Sequence, residues 1–260
     1  MSQGSTVLLE KRGDVAVVTL NRPDNANVLN LQMGRDLLAV VTACQQDVAL
    51  RAVVLTGAGK HFCFGGDLRG MLTAGGATDA WLRELTTDLH QSIVGLVRLD
   101  APVIAAVNGT AAGAGVGLVA MADLAVCGEG SKFSLAYTGV ALTPDGGTSF
   151  FLPQILGNKR ALELMLTNRP LSAADALGWG FVNQVVPDAE VLDAALQLAS
   201  RVAAGPRQAQ GSVKRLVAHA GGALEAHLAL ESETIARQSI SAEGQEGMKA
   251  FLEKRKPTFA

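Results

Sequence analysis

Aromatic side chains are scarce in this chain, with 8 Phe, 2 Trp and 1 Tyr among 260 residues, so any core must be built from aliphatic and small residues. Cysteine is scarcer still. Cys44, Cys63 and Cys127 are odd in number, widely spaced and without a CxxC pair, which excludes a disulfide framework and a zinc site of ordinary spacing and fits a reducing cytosol. An excess of charge is also missing. With 22 Lys+Arg against 24 Asp+Glu the formal net charge is −2, so the footprint that nucleic acid or an anionic membrane requires is absent, and a polyanionic ligand would have to be met locally. The opening residues Met1–Ser5 hold no basic region followed by an apolar run, so no export signal is expected and the expected compartment is the cytoplasm.

One uncharged stretch, Ala101 to Ala122, is long enough to span a bilayer. It is broken by the turn pair Asn108-Gly109 and filled with Ala and Gly, so it reads as a buried strand, a turn and a helix start rather than a membrane span. What is present is a hydrophobic fraction of 48% and 29 glycines in a length that suits one large α/β domain, or one domain with an appendage.

Short apolar runs alternate with helical periodicity. Strands are expected at Val15–Leu20, Ala52–Thr56, Val103–Val107 and Leu124–Cys127, with helices at Leu31–Ala49, Trp81–Leu99 and Gly113–Ala122. Continuously apolar strands between helices argue for a largely parallel sheet buried on both faces. After Pro153 the strand signals fade, and helices are expected at Leu171–Leu177, Asp188–Ala203, Pro206–Ala218 and Ala223–Ser239. The organisation is thus an α/β core over residues 1–200 and a helical C-terminal region over 201–260, with a soft boundary.

Two glycine-rich loops follow buried strands, where ligand sites of α/β proteins usually lie. The first is HFCFGGDL, His61 to Leu68; the second is NGTAAGAGVG, Asn108 to Gly117. Neither has the GxGxxG or GxxxxGK[ST] spacing that cradles nucleotide phosphates. Such loops can instead aim unobstructed backbone N–H groups at a developing oxyanion, and two loops would supply one donor each.

These loops carry a resemblance. FCFGGDLRGM (62–71), PVIAAVNGTAAGAGVGLVAMADLAV (102–126) and FSLAYTGVALTPDGGTSFFLP (133–153), in this order, together with LNRPDNANVLN (20–30) and EGMKAFLEKRKPTF (246–259), resemble the crotonase (enoyl-CoA hydratase/isomerase) superfamily. The resemblance implies a spiral of ββα units, a helical C-terminal region used for trimerisation, and a coenzyme A thioester as substrate with no covalently bound cofactor. It also implies a homotrimer or a dimer of trimers, without nucleic acid or membrane partners. Within its motifs the oxyanion donors would be the N–H groups of Gly66 and Ala114. Coenzyme A would be met by the stretch from Ala26 to Val28, by the backbone from Phe64 through Asp67 to Leu68, and by Phe251 and Lys254, often across a subunit contact. Ala26 departs from the basic residue common at its position.

Hydratases of this superfamily use two glutamates, and their positions here hold Gly117 and Tyr137. Neither can do a carboxylate's work near neutral pH. Asp145, in Thr143-Pro144-Asp145-Gly146-Gly147, stands where isomerases of the superfamily carry a single base, although Pro-Asp-Gly-Gly is also a favourable turn. The expectation is therefore an acyl-CoA isomerase that shifts a double bond, or performs a comparable ring isomerisation, with Asp145 as base. The alternatives are a hydratase without the usual glutamates, a non-catalytic acyl-CoA binding protein, and an aryl-CoA dehalogenase, whose relatives place a histidine at the position of His90, a nucleophilic aspartate at Asp145 and a tryptophan at Tyr137. For an isomerase, His90 reads as a core or pocket residue whose loss should matter little, and Tyr137 as a pocket wall. Replacing both Gly117 and Tyr137 by glutamate is expected to add some hydration.

Overall fold

A computed structural model describes residues 4–205, 207–219 and 224–257. Strands β1 (Val7–Arg12) and β2 (Val15–Leu20) form an antiparallel hairpin through the turn at Gly13. Helix α1 (Leu31–Gln46) follows, capped by Asn30, whose side chain accepts from the Met33 N–H at 2.9 Å. Next come β3 (Ala52–Gly57), α2 (Leu68–Ala74), α3 (Thr78–Arg98) and β4 (Val103–Val107). The middle of the chain holds β5 (Ala111–Ala112), α4 (Ala114–Ala120), β6 (Leu124–Gly128) and β7 (Lys132–Ser134). It continues through α5 (Thr148–Leu156), α6 (Asn158–Thr167), β8 (Leu171–Ser172), α7 (Ala173–Gly178) and β9 (Gln184–Val186). The chain then runs on as α8 (Val191–Ala203), α9 (Arg207–His219), α10 (Leu224–Ser239) and α11 (Ala242–Leu252).

The main sheet has the order β1-β2-β3-β4-β6-β9, parallel throughout except for the β1-β2 pair. A smaller sheet, β5-β7-β8, stands beside it. Because successive strand residues face opposite sides, Val53 and Leu55 enter a core beneath α1 and α3, while Ala52, Val54 and Ile104 enter a second one beneath α8. Helix α8 meets the sheet through Ala195, Ala199 and Ala203, four residues apart, where small side chains let the helix lie close. This is the α/β architecture expected from the sequence, a largely parallel sheet followed by C-terminal helices.

The expected strands and helices are present, with shifted ends. Residues 171–172 are a strand, so the helix there begins at Ala173, and residues 188–190 form a single 3₁₀ turn before α8. Pro206 and Ala223, the expected starts of two helices, lie outside the described residues. Strands β1 and β9 and helices α2, α5, α6 and α11 carry no signal strong enough to have been anticipated; β9 is three residues long and takes its conformation from pairing with β6. The uncharged stretch from Ala101 to Ala122 is divided among β4, β5 and α4, and among the described residues no helix is long and apolar enough to cross a membrane. Ile235 and Ala236 of α10 and Met248 of α11 join the same core as α1 and α3.

Candidate active site

Both glycine loops leave the carboxyl ends of adjacent parallel strands, β3 and β4. Asn108 joins them. Its amide donates to the carbonyls of Gly57 and Gly59 at 2.8 and 2.9 Å, and its carbonyl oxygen accepts from the Gly57 N–H at 3.2 Å. Further along, the Ala112 N–H donates to the Cys63 carbonyl at 2.8 Å, and the Cys63 sulfur accepts from the Gly65 N–H. Burial pushes the Cys63 thiol up to about 12, so this sulfur is a spacer between the loops and not a nucleophile. The approach is so close that a side chain at Gly115 would begin 2.2 Å from the Cys63 carbonyl oxygen.

The Gly66 and Ala114 N–H groups are taken up by no backbone acceptor among the described residues. The two segments that carry them abut, because the Ala114 nitrogen lies 3.2 Å from the point where a side chain on Gly65 would start. Gly65 itself has φ +80°, a conformation in which other residues are strained.

Asp145 sits against the start of α4. It is 4% exposed, and its carboxylate Oδ1 lies 2.8 Å from Nε2 of His90, 8% exposed on α3. Its carbonyl accepts from the Thr148 hydroxyl at 2.8 Å and from the Tyr137 hydroxyl at 3.1 Å. Tyr137 follows Ala136, which has φ +55°, and its ring also faces Gly113. The structure thus brings His90, Tyr137 and Asp145 together, with the Tyr137 hydroxyl holding the main chain of Asp145. Thr148 was not anticipated; its signal was its place three residues after Asp145, where a hydroxyl can reach back to a carbonyl.

Gly117 is enclosed. A side chain there would begin 2.1 Å from the Gly146 carbonyl oxygen and 3.3 Å from the Thr148 methyl, so the turn that carries Asp145 occupies the space a glutamate would need. The expectation that Gly117→Glu combined with Tyr137→Glu could add hydration is therefore corrected for position 117, since the obstacle is backbone and cannot rotate away.

Of the residues matched to coenzyme A contacts, the stretch from Ala26 to Val28 runs beside the first loop. The Phe64 N–H donates to the Ala26 carbonyl at 3.1 Å, and Leu29 pairs with Gly66 through the Leu29 N–H to Gly65 carbonyl bond at 2.7 Å. The buried Asn27 amide, missed as a structural anchor, donates to the carbonyls of Ala58, His61 and Phe62. Phe64 stays 39% exposed and packs on His61 with ring centroids 4.5 Å apart. The Asp67 carboxylate caps α2, accepting from Gly70 N–H at 3.1 Å, and lies 3.5 Å from the Arg22 guanidinium, so it organises the loop just ahead of Leu68. Phe251, 57% exposed, lies in the last turn of α11, and the Lys254 N–H just beyond it donates to the Phe251 carbonyl at 3.1 Å.

The sequence profile of the enoyl-CoA hydratase/isomerase family matches residues 10–260. The chain belongs to this family. It is 37% identical over 248 residues, 94% of each chain, to 1,2-epoxyphenylacetyl-CoA isomerase of Escherichia coli (strain K12). It is 34% identical over 213 residues, 81% of this chain and 77% of the other, to 4-chlorobenzoyl coenzyme A dehalogenase-2 of Arthrobacter sp. The solved structure of an enoyl-CoA hydratase from Mycobacterium avium subsp. paratuberculosis K-10 superposes with a TM-score of 0.89 over 98% of both chains at 28% identity. The protein is thus a crotonase-family enzyme of acyl-CoA chemistry. Relatives of three activities stand at comparable identity, so the choice among those reactions rests on residues rather than on overall similarity.

Proposed function

We propose that this crotonase-family enzyme is an acyl-CoA isomerase that shifts a double bond, or carries out a comparable ring isomerisation, with Asp145 as its base. The observation that carries the reading is the enclosure of Gly117 by the Gly146 carbonyl, which denies the site a glutamate there and leaves the buried Asp145 in a turn packed against Ala114. One base suffices for this chemistry. Asp145 removes a proton from C2 or C4 of the acyl thioester, and the electron pair moves into the conjugated enolate. The protonated Asp145 then returns the proton one allylic position away, so no atom is gained or lost. The Gly66 and Ala114 N–H groups hold the thioester oxygen as it gains charge; each such donor contributes on the order of 3 kcal/mol.

Coenzyme A in this reading lies along Ala26, Val28 and the backbone from Phe64 to Leu68, and Phe251 and Lys254 reach it from a neighbouring copy in a trimer. A non-catalytic binding role is disfavoured by the retention of the base and both donor loops. The test is a panel of 3-enoyl, 2-enoyl and aryl CoA thioesters. Isomerisation of a 3-enoyl-CoA should far exceed hydration of a 2-enoyl-CoA, and Asp145→Asn should abolish most of it. Native hydration faster than isomerisation would sink the proposal.

A second reading is favoured by the 2.8 Å contact between His90 Nε2 and Asp145 Oδ1. In an aryl-CoA dehalogenase Asp145 would attack the halogen-bearing carbon and expel halide, and His90 would activate water to hydrolyse the aspartyl ester. His90→Ala incubated with a halobenzoyl-CoA would then accumulate an Asp145 ester visible by mass spectrometry. Isomerase action predicts no such adduct.

A further inference from the structure

The main chain of Asp145 is fixed independently of its carboxylate. Its carbonyl receives the Thr148 and Tyr137 hydroxyls, and the Thr148 N–H as well at 3.2 Å, while the turn continues through Gly146 and Gly147 in left-handed conformations. What is left to set is the side-chain torsion, and an aspartate has several staggered and broad choices. His90 selects one of them. It projects from the 21-residue α3 between the buried Leu89 and Ile93, so its own ring is held by packing, and its Nε2 meets Oδ1 at 2.8 Å. With Asp145 ionised, the imidazole Nε2–H donates to Oδ1. The other carboxylate oxygen, Oδ2, makes no hydrogen bond among the described residues.

We propose that His90 is a positioning residue that holds Oδ1 so that Oδ2 is the oxygen presented for proton transfer. This rests on the reading of Asp145 as base, and it requires of His90 only a donor N–H at the right place. It differs from the role of His90 in the dehalogenase reading, where the ring must take a proton from water. It also replaces the expectation that an isomerase would be indifferent to position 90.

The two demands separate in a pair of variants. In His90→Gln the side-chain amide keeps an N–H donor near the Nε2 position without a ring that titrates. In His90→Leu the volume is similar and the donor is gone, and His90→Met serves if the leucine variant folds poorly. With a 3-enoyl-CoA substrate, His90→Leu should lose about 10- to 100-fold in kcat, the scale on which about 1 Å of misplacement acts. KM should stay within about twofold, because the thioester is held elsewhere, and His90→Gln should recover kcat to within about threefold of the native enzyme. A His90→Leu enzyme of near-native kcat would overturn the proposal. So would a His90→Gln enzyme as slow as His90→Leu, since the imidazole would then be needed for itself. Asp145→Asn assayed in parallel keeps the two ideas apart: near-native turnover there removes the base, whereas its loss beside a fast His90→Leu enzyme removes only the positioning role.

Discussion

Two ionisable pairs, each with a buried member, do different things: Asp123–Lys214 at the start of β4 and His90–Asp145 between α3 and the turn before α5. Asp123 meets the buried Lys214 of α9 at 2.5 Å. The lysine also donates to the carbonyls of Ala101 and Leu96, and the Asp123 Oδ2 accepts from the Val103 N–H at 2.7 Å. Burial raises the Asp123 pKa and lowers that of Lys214, outweighing in each case the partner's attraction. Such a pair adds little net stability when intact, yet removing one side leaves the other charge stranded. Its groups are engaged with main chain, and it clips α9 to the sheet. In the turn before α5, the His90–Asp145 pair leaves Oδ2 of Asp145 without a hydrogen bond among the described residues, and the next residue, Gly146, packs against Ala114 of the second glycine loop. The contrast teaches that burial of charge does not mark a reactive site. What separates the two pairs is their place: Asp123 and Lys214 are tied to main chain at the start of β4, whereas the turn that carries Asp145 packs against Ala114 of the second glycine loop.

The contrast is tested most severely by exchanging the consequences. Asp145→Asn should lower isomerase turnover by at least about a hundredfold while changing unfolding free energy by less than about 1 kcal/mol, read from steady-state kinetics and denaturant melts. Lys214→Met should do the reverse. Stability should fall by about 2–3 kcal/mol, somewhat below the loss for a fully enclosed pair because the Asp123 side chain keeps 28% exposure, with turnover per folded molecule unchanged. If Lys214→Met instead lost turnover without stability, the clip would belong to the site. Giving Asp145 a second carboxylate is the third test: Gly117→Glu should cost at least about 3 kcal/mol, at the upper end of overpacking penalties, and gain no hydration. Measurable hydration of a 2-enoyl-CoA by a stable Gly117→Glu enzyme would show that the turn yields.

The smallest effect concerns groups that burial simply silences. The Cys44 thiol is pushed up to about 11 and those of Cys63 and Cys127 to about 12, mainly by desolvation. At pH 8 all three should resist iodoacetamide in the native protein and react on unfolding, with mass spectrometry as the readout. Each holds its proton more tightly folded than unfolded. Their contribution to stability is therefore complete below the unfolded thiol value of about 8.5 and declines as pH rises toward the folded values. Rapid native alkylation of Cys63 would mean that the seam between the glycine loops opens.

Much of the fold could be read directly. The strands at 15–20, 103–107 and 124–128 are continuous apolar runs, and that pattern depends on neighbours in sequence. β9 could not be read, because three residues form a strand only where β6 offers an edge. In the site, the two loops and Asp145 stood out through the family resemblance of their motifs, while the capping of α2 by the Asp67 side chain and its ion pair with Arg22 were not anticipated. His90 was ambiguous because a histidine on a helix face has no fixed meaning until its opposite number is known.

By itself, then, the sequence determined which strands form a buried sheet, which loops are rich enough in glycine to expose their N–H groups, and that the two positions matched to glutamates hold Gly117 and Tyr137. The first two are properties of composition and short spacing, and the third follows from the resemblance of the motifs to the family. The tertiary structure decided that His90 and Asp145, 55 residues apart, meet at 2.8 Å, and that the Gly146 carbonyl closes position 117. Those outcomes depend on how α3, α4 and the Asp145 turn pack on one another, and close packing is settled by tenths of an ångström that no local pattern encodes.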